Sequence, residues 1–345
     1  MQITTIGLDI AKRSFQIHGI DKTGAVVVAK ALSRGRVLIF FSKLEPCLIG
    51  LEACASAHYW GRELGALGHQ VHLIPPAYVK AYLRRNKNDA ADAAAICEAV
   101  SRPHMRFVEV KSAAKQAARS LTRVREQLIS QRTATVNSLR GHLAEFGIIE
   151  AAGLARARRL RAVIEDGTDR RLPDLARESL SILVEQIEGL DGKILDLDGR
   201  IAAWHKSNEV SQRLASIPGI GTLTAATFAQ AVPNADFFRS GREFAAWLGL
   251  VPRQKSTGGK PRLGRISKRG DRRLRSLLVI CASSVLQSLK RRKQGTAGAP
   301  WLARLMATKP PLVVAVALAN KLARTIWAVM AHGQAYQPER GFLAA

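Results

Sequence analysis

The stretch Ile3-Thr4-Thr5-Ile6-Gly7-Leu8-Asp9-Ile10-Ala11-Lys12-Arg13-Ser14-Phe15-Gln16-Ile17-His18-Gly19-Ile20 decides how the front of the chain folds. Ile3 to Asp9 and Ser14 to Ile20 read as strands, joined by the tight polar turn Ala11-Lys12-Arg13. Ala25 to Ala31 reads as a third strand after the turn Asp21-Lys22-Thr23-Gly24, so the opening is an antiparallel meander. A helix near Arg36 to Leu44 leads into a buried strand, Cys47 to Leu51, that ends at Glu52. A helix through Trp60 to Leu67 and a short strand, Val71 to Ile74, follow, the strand ended by Pro75-Pro76. The next helix begins at Asn88, with Asn88 or Asp89 as its cap, and runs through Asp92, Ile96 and Val100 before Pro103. Short β-rich runs alternating with helical ones indicate an α/β layer fold from Ile3 to about Val110.

Beyond Val110 the pattern changes. Ser112 to Phe146 is a long helical stretch with no Pro, and no Gly before Gly141; a basic, less periodic stretch follows to about Arg177. Leu180, Leu183, Ile187, Leu190, Ile194, Leu197, Ile201 and Trp204 then alternate spacings of three and four, as in a coiled-coil seam. Gly189, Gly192 and Gly199 weaken that helix in isolation, so its partner is either Ser112 to Phe146 or another subunit. Ser207 to Gly333 reads as mostly helical, with one Gly-rich basic loop from Pro252 to Gly270. The expected domains are 1–110, α/β; 111–206, helical coiled coil for oligomerisation and nucleic-acid contact; and 207–345, mostly helical.

Charge narrows the partners. Fifty-three Lys and Arg against 27 Asp and Glu give a formal charge of +26, which a polyanion would neutralise. A membrane surface is the competing polyanion, yet the most apolar segment, Pro311 to Met330, is interrupted by Lys321 and Arg324 and reads as a buried amphipathic helix. The chain opens on a strand rather than a charged segment and an apolar signal core, so a cytoplasmic protein is expected. Cys47, Cys54, Cys97 and Cys281 form no C-x-x-C pair and read as buried, reduced thiols; His69 and His72 lack the further partners a metal site needs.

Four acids stand out. Asp9 ends the first strand, Glu52 ends another, and Asp89 and Asp92 are three apart on one helix face, with small alanines around them. Each alone has an ordinary structural reading: Asp9 closing a turn, Glu52 starting a helix, Asp89 capping one. Together they favour a site, because breaking a phosphodiester requires stabilising charge on attacking and leaving oxygens, which two magnesium ions about 3.5–4 Å apart can do. Magnesium prefers carboxylate oxygens; manganese is the expected substitute.

Near the other end, Ile217-Pro218-Gly219-Ile220-Gly221 before Leu223-Thr224-Ala225-Ala226 resembles a helix-hairpin-helix, whose backbone N–H groups near Gly219 and Gly221 face a phosphate. A plain helix–helix turn carries the same glycines. From Arg253 to Arg275 there are ten Lys or Arg against the single acid Asp271, with glycines at 258, 259, 264 and 270. Arg253, Lys255, Lys260, Arg262, Lys268 and Arg269 are the candidate phosphate-binding cations. Among them sits Ser256, a hydroxyl beside glycines and cations that suits a nucleophile on phosphorus, though Ser and Gly also fill ordinary loops.

Gly7-Leu8-Asp9-Ile10-Ala11-Lys12, Gly50-Leu51-Glu52-Ala53-Cys54 and Lys87-Asn88-Asp89-Ala90-Ala91-Asp92-Ala93 resemble the DEDD transposases of the insertion-sequence 110/1111 family. Pro218-Gly219-Ile220-Gly221, Gly249-Leu250-Val251-Pro252, Ser256-Thr257-Gly258-Gly259-Lys260 and Gly264-Arg265-Ile266-Ser267-Lys268-Arg269-Gly270-Asp271 through Leu274-Arg275 resemble its second signature domain. The resemblance is specific at the two ends, and the middle, about 150 to 205, is merely compatible with it. It implies an RNase H-like domain similar to the junction resolvase RuvC, with Asp9, Glu52, Asp89 and Asp92 binding metal. It also implies that Ser256 is a nucleophile completing a composite site across subunits, with Ser267 the alternative position. Implied partners are donor and target DNA, a guide RNA from the element's non-coding end, and further copies of the chain, as dimers forming a tetramer. A bacterial, nucleoid-associated location goes with these. Arg156 to Arg161 and Lys290 to Lys293 are candidate RNA contacts or solvated faces. The competing enzyme is a RuvC-like nuclease that uses water and leaves Ser256 incidental; an inactive architectural binder is the third possibility.

Overall fold

The computed structural model describes residues 2–337 except 84–87, 152, 261 and 292–299, and leaves out the side chains of 154–158. Asn86 and Lys87, the side chains of Arg156 and Arg158, and Arg292 and Lys293 therefore lie outside the described residues. Two compact units divide the chain, Met1–Ala117 and Ala118–Ala345.

The first unit is a five-stranded mixed sheet. Its strands are β1 (Thr5–Ile10), β2 (Ser14–Ile20), β3 (Val26–Ser33), β4 (Leu48–Glu52) and β5 (Gln70–Ile74), in the order β3-β2-β1-β4-β5. β1, β2 and β3 form the expected meander, while β4 and β5 run parallel to β1. Helices α1 (Val37–Phe41), α2 (Ala57–Ala66), α3 (Pro76–Val79) and α4 (Asp89–Val100) complete the unit. Ile6, Leu8, Phe15, Ile49 and Leu51 are fully buried in a core that includes Phe41 and Leu64 from α1 and α2. Burying each such side chain stabilises the fold by about 1.5–3 kcal/mol.

α4 belongs to the other face, where two glycines admit it. A Cβ on Gly7 would lie 2.1 Å from the Ala93 carbonyl oxygen and 2.4 Å from the Cys97 nitrogen. One on Gly50 would lie 2.8 Å from Val100 Cβ. Gly7 and Gly50 are direct partners in the β1–β4 register, so the helix crosses the sheet where neither strand carries a side chain.

The second unit is helical: α5 (Ala113–Ala144, which begins in the first unit), α6 (Leu154–Glu165), α7 (Asp174–Lys206), α8 (Glu209–Ala215), α9 (Thr222–Ala231), α10 (Gly241–Trp247), α11 (Arg272–Arg291), α12 (Pro300–Thr308) and α13 (Pro311–His332). Within the chain, α7 meets α5, one of the two partners expected for it. Arg125 pairs with Asp198 at 2.5 Å and Arg132 with Asp191 at 2.5 Å, while Leu139 and Leu143 share a buried cluster with Leu180 and Val184. As α5 advances its partners on α7 retreat, so the two helices are antiparallel. The expected seam faces inward, with Leu180, Leu190, Ile194 and Ile201 buried.

Two expectations change and one holds. The stretch after Phe146 contains the helix α6, whose apolar contribution, Leu160 and Ile164, is too small to announce a period among so many arginines. The basic loop contains a hairpin, β6 (Pro252–Gln254) with β7 (Leu263–Ile266), hidden because nearly all its residues are exposed and none alternate. α13 is long and apolar enough to cross a membrane by length and composition. Its Leu318, Leu322 and Ile326 are nevertheless fully buried in the core of the second unit, as expected of an amphipathic core helix.

Candidate active site

The glycines that admit α4 also aim the acids. Alternate residues of a strand share a face, so Asp9 and Glu52, two residues beyond Gly7 and Gly50, project on the side that α4 occupies. Along α4, residues four apart stack in rows. Asp89 stands above Ala93 and Cys97, the residues over Gly7, while Asp92 stands above Ile96 and Val100, the residues over Gly50. Each row thus ends, at the start of the helix, in an aspartate.

Asn88 fixes that start: its side-chain oxygen accepts a hydrogen bond from the Ala91 N–H at 2.7 Å, resolving the choice of cap in its favour. Carboxylate oxygens of Asp9, Asp89 and Asp92 lie within 4.8 Å of one another. Glu52 adjoins them on β4, close enough that its charge acts on Asp9. The Asp9 carboxyl is pushed up to about 6 by its own burial first, then by Asp92, Asp89 and Glu52. Among the described residues no cation forms an ion pair with any of the four, in a chain with twice as many cations as acids. Hard oxygen donors this close and without a counter-charge suit a divalent cation such as magnesium.

The sequence reading missed the flank of this cluster. A recess beside it is lined by Lys12, Arg34, Cys54 and Ser56. The Arg34 guanidinium lies 5.1 Å from the centre of the Trp60 ring, which holds it in place. Cys47, Cys97 and Cys281 are buried as expected, whereas Cys54 is exposed at this recess, its thiol raised by partial desolvation first and then by Glu52 and Asp9. Gly-x-acid repeated at the ends of two strands is the signal that would have tied the glycines to the site. His69 is structural: its Nδ1 accepts from the Cys47 N–H at 3.2 Å, leaving Nε2 to donate to the Phe41 carbonyl at 3.1 Å.

In the second unit Ser256 stands on the exposed hairpin. Thr257-Gly258-Gly259-Lys260 forms a two-residue turn with φ of 58° at Gly258 and 74° at Gly259, values of the primed turns that match the twist of a hairpin. The Ser256 hydroxyl accepts from Gln254 Nε2 at 3.1 Å and more weakly from the Arg262 N–H at 3.4 Å. Lys255, Lys260 and Arg262 share this exposed hairpin. Arg253 instead turns to the Ser267 carbonyl, 3.2 Å from Nη2.

Lys268 and Arg269 lie on a loop packed against the turn at Gly249, where an added Cβ would meet the Arg269 carbonyl at 2.1 Å. Arg275, buried beneath, donates to the carbonyls of Leu248 and Arg269 at 2.8 and 3.0 Å. Close packing therefore accounts for Gly249 and Gly270 without a ligand. At the other glycine turn, between α8 and α9, Gly219 has φ of 87° and meets Val285 of α11, whereas Gly221 is open.

Comparison with known proteins agrees at both ends. A family model described as "Transposase IS116/IS110/IS902 family" matches residues 211–296, and the DEDD transposase model of the IS110 group matches residues 6–148. The chain is 47% identical over 339 residues to the Pseudomonas aeruginosa protein named "Probable family 20 transposase", covering 98% of this chain and 100% of that one. It is 41% identical to the transposase of insertion sequence element IS1328 of Yersinia enterocolitica, across 97% of this chain and 98% of that one. To the transposase of insertion sequence element IS1111A of Coxiella burnetii it is 36% identical, across 97% and 92% respectively. The chain therefore belongs to the IS110/IS1111 family of insertion-sequence transposases.

Proposed function

We propose that this transposase cuts and rejoins DNA with Asp9, Glu52, Asp89 and Asp92 as magnesium ligands and Ser256 as the nucleophile. The observation that carries the reading is the convergence of Asp9, Asp89 and Asp92 within 4.8 Å, beside Glu52 and without a protein counter-charge among the described residues. Magnesium held there would supply charge stabilisation at the scissile phosphate. The chain's own residues do the rest. Ser256 Oγ attacks phosphorus and forms a phosphoserine link as the bond to the leaving DNA oxygen breaks, the serine's proton ending on that leaving oxygen as a hydroxyl. A DNA 3′ hydroxyl then displaces the serine, so the number of phosphodiester bonds is conserved. Lys255, Lys260 and Arg262, on the same hairpin, counter the charge that develops on the phosphate.

An element-encoded guide RNA and assembly of dimers into a tetramer complete the proposal. Their support is the resemblance and, for RNA, the charge of +26, since neutralising a backbone does not select DNA over RNA. The competing reading is a RuvC-like nuclease in which water attacks.

One gel separates the two. Labelled DNA bearing the element's end junction is incubated with the adjacent non-coding RNA and magnesium, using wild type, Ser256→Ala and Asp9→Asn. The expected result is a protease-sensitive protein–DNA adduct in wild type that both substitutions abolish. Free cleaved ends with Ser256→Ala fully active would overturn the serine reading and leave the water-using nuclease.

A further inference from the structure

Three arginines converge in a cleft of about 440 Å³ in the second unit, formed by α5, α9 and the start of α11. Arg119, Arg123 and Arg273 are its cations, and Glu126 and Asp271 its acids. The acids are already engaged. Asp271, the single acid of the Arg253 to Arg275 run, caps α11: its Oδ1 accepts from the N–H groups of Arg273 at 2.8 Å and Leu274 at 3.2 Å. Only its Oδ2 turns to Arg119, at 3.5 Å. Glu126 pairs with Arg273 at 3.0 Å.

Arg123 has no ion-pair or hydrogen-bond partner among the described residues, and its side chain is exposed. Its neighbours are held in place. Arg273 Nη2 donates to the Thr122 carbonyl at 2.7 Å, and the side chains of Arg273 and Arg119 are only 18% and 22% exposed. Burial lowers both guanidiniums, and the charge of Arg123 lowers them further. Three guanidiniums against two carboxylates leave the recess with an excess of one positive charge, carried by Arg123, which an anion would offset.

We propose that this cleft binds a phosphodiester of a nucleic-acid backbone, with Arg123 as the mobile donor and Arg119 and Arg273 as fixed flanking donors. A guanidinium matches two phosphate oxygens at once. Arg119, Arg123, Gln127 and Ser130 follow one face of α5 for about 16 Å at 1.5 Å per residue, so the recess runs along a strand rather than enclosing a small ion. The inference rests on the chain's acting on nucleic acid, and on neither the metal nor Ser256.

The test is equilibrium binding by fluorescence anisotropy in a chelating buffer, where no cutting occurs. The probes are single-stranded DNA, RNA of the same sequence and duplex DNA, each titrated over a range of salt. Arg123→Ala is expected to bind at least one probe roughly three- to tenfold more weakly than wild type. Its log affinity against log salt should be shallower by about 0.7–0.9, the loss of one phosphate contact. Arg123→Glu should bind more weakly still, Arg123→Lys should keep the slope, and all three should melt with wild type because the side chain is exposed. The probe that loses most identifies which nucleic acid lies in the cleft. Unchanged affinity and slope for Arg123→Ala on all three probes would overturn this inference alone; failure of wild type to bind any probe would overturn it together with the nucleic-acid reading.

Discussion

The carboxylate cluster and the serine hairpin are built in opposite ways. The acids stand on a central strand pair and the first turn of a buried helix, and their directions follow from the pleat of the sheet and from two glycines beneath α4. Ser256 stands on a two-stranded ribbon whose residues are almost all exposed and whose own hydroxyl is held by one side chain and one N–H. The first arrangement fixes charge before any substrate arrives, and the Asp9 carboxyl is raised by its burial first and then by the neighbouring acids. The second leaves its group on the surface, where substrate can complete its surroundings. Under the proposed reading, metal ligands require the former, since they must meet within a few ångströms, and a serine that joins and leaves a bulky DNA end tolerates the latter.

The contrast breaks most severely at Gly7. Gly7→Ala places a methyl 2.1 Å from the Ala93 carbonyl and 2.4 Å from the Cys97 nitrogen, both backbone atoms of α4 that no rotamer change can move. The helix must shift, carrying Asp89 and Asp92 with it. Overpacking of this kind costs about 1–3 kcal/mol, and a ligand displaced by about 1 Å lowers the reaction rate by about 100-fold. Thermal melting and the adduct assay check both; a variant that melts several degrees lower yet cuts at the wild-type rate would mean that α4 does not position the acids.

How much of this was legible follows the same divide. The meander, the parallel strands and the capped helix could be read because strand patterning and helix caps leave local marks, and the acids because each ends or begins such an element. That the glycines at 7 and 50 are partners, and that α4 crosses above them, depends on a register and a packing angle between segments about 40 residues apart. The antiparallel match of α5 with α7 was open for the same reason: a seam shows that a partner exists without naming it. The β6–β7 hairpin left no alternation to read, because neither of its faces is buried. Arg119 lies more than 130 residues from the basic run that supplies its cleft partners Asp271 and Arg273, beyond any spacing rule.

A smaller effect tests whether the acid cluster is held under repulsion. A carboxyl whose folded value, about 6 for Asp9, lies above its ordinary value of 3.8 holds its proton more tightly when folded. Its contribution is therefore intact below about pH 4 and is lost as pH rises through 6, the reverse of a salt-bridged aspartate. Without metal, Asp9→Asn is expected to gain melting temperature relative to wild type between pH 4 and 7, and magnesium at pH 7.5 should raise wild type but not the variant. A difference that stays flat across this range would show that the four acids do not press on one another.

The mildest perturbation belongs to the hairpin. Gly259 has φ of 74°, where an alanine costs about 1–2 kcal/mol and an asparagine less. No part of the described core rests on this turn, and an added Cβ at Gly259 meets nothing within 4 Å. The strain should therefore distort the ribbon without unfolding the unit. Gly259→Ala is expected to leave melting unchanged while slowing adduct formation severalfold, and Gly259→Asn to restore most of the rate, as measured by single-turnover accumulation of the protein–DNA adduct. Loss of melting temperature in Gly259→Ala would instead make the ribbon part of the fold's support; equal rates in all three proteins would uncouple turn geometry from the serine and direct the search to Ser267, whose loop is fastened to Gly249 through its neighbours Lys268 and Arg269.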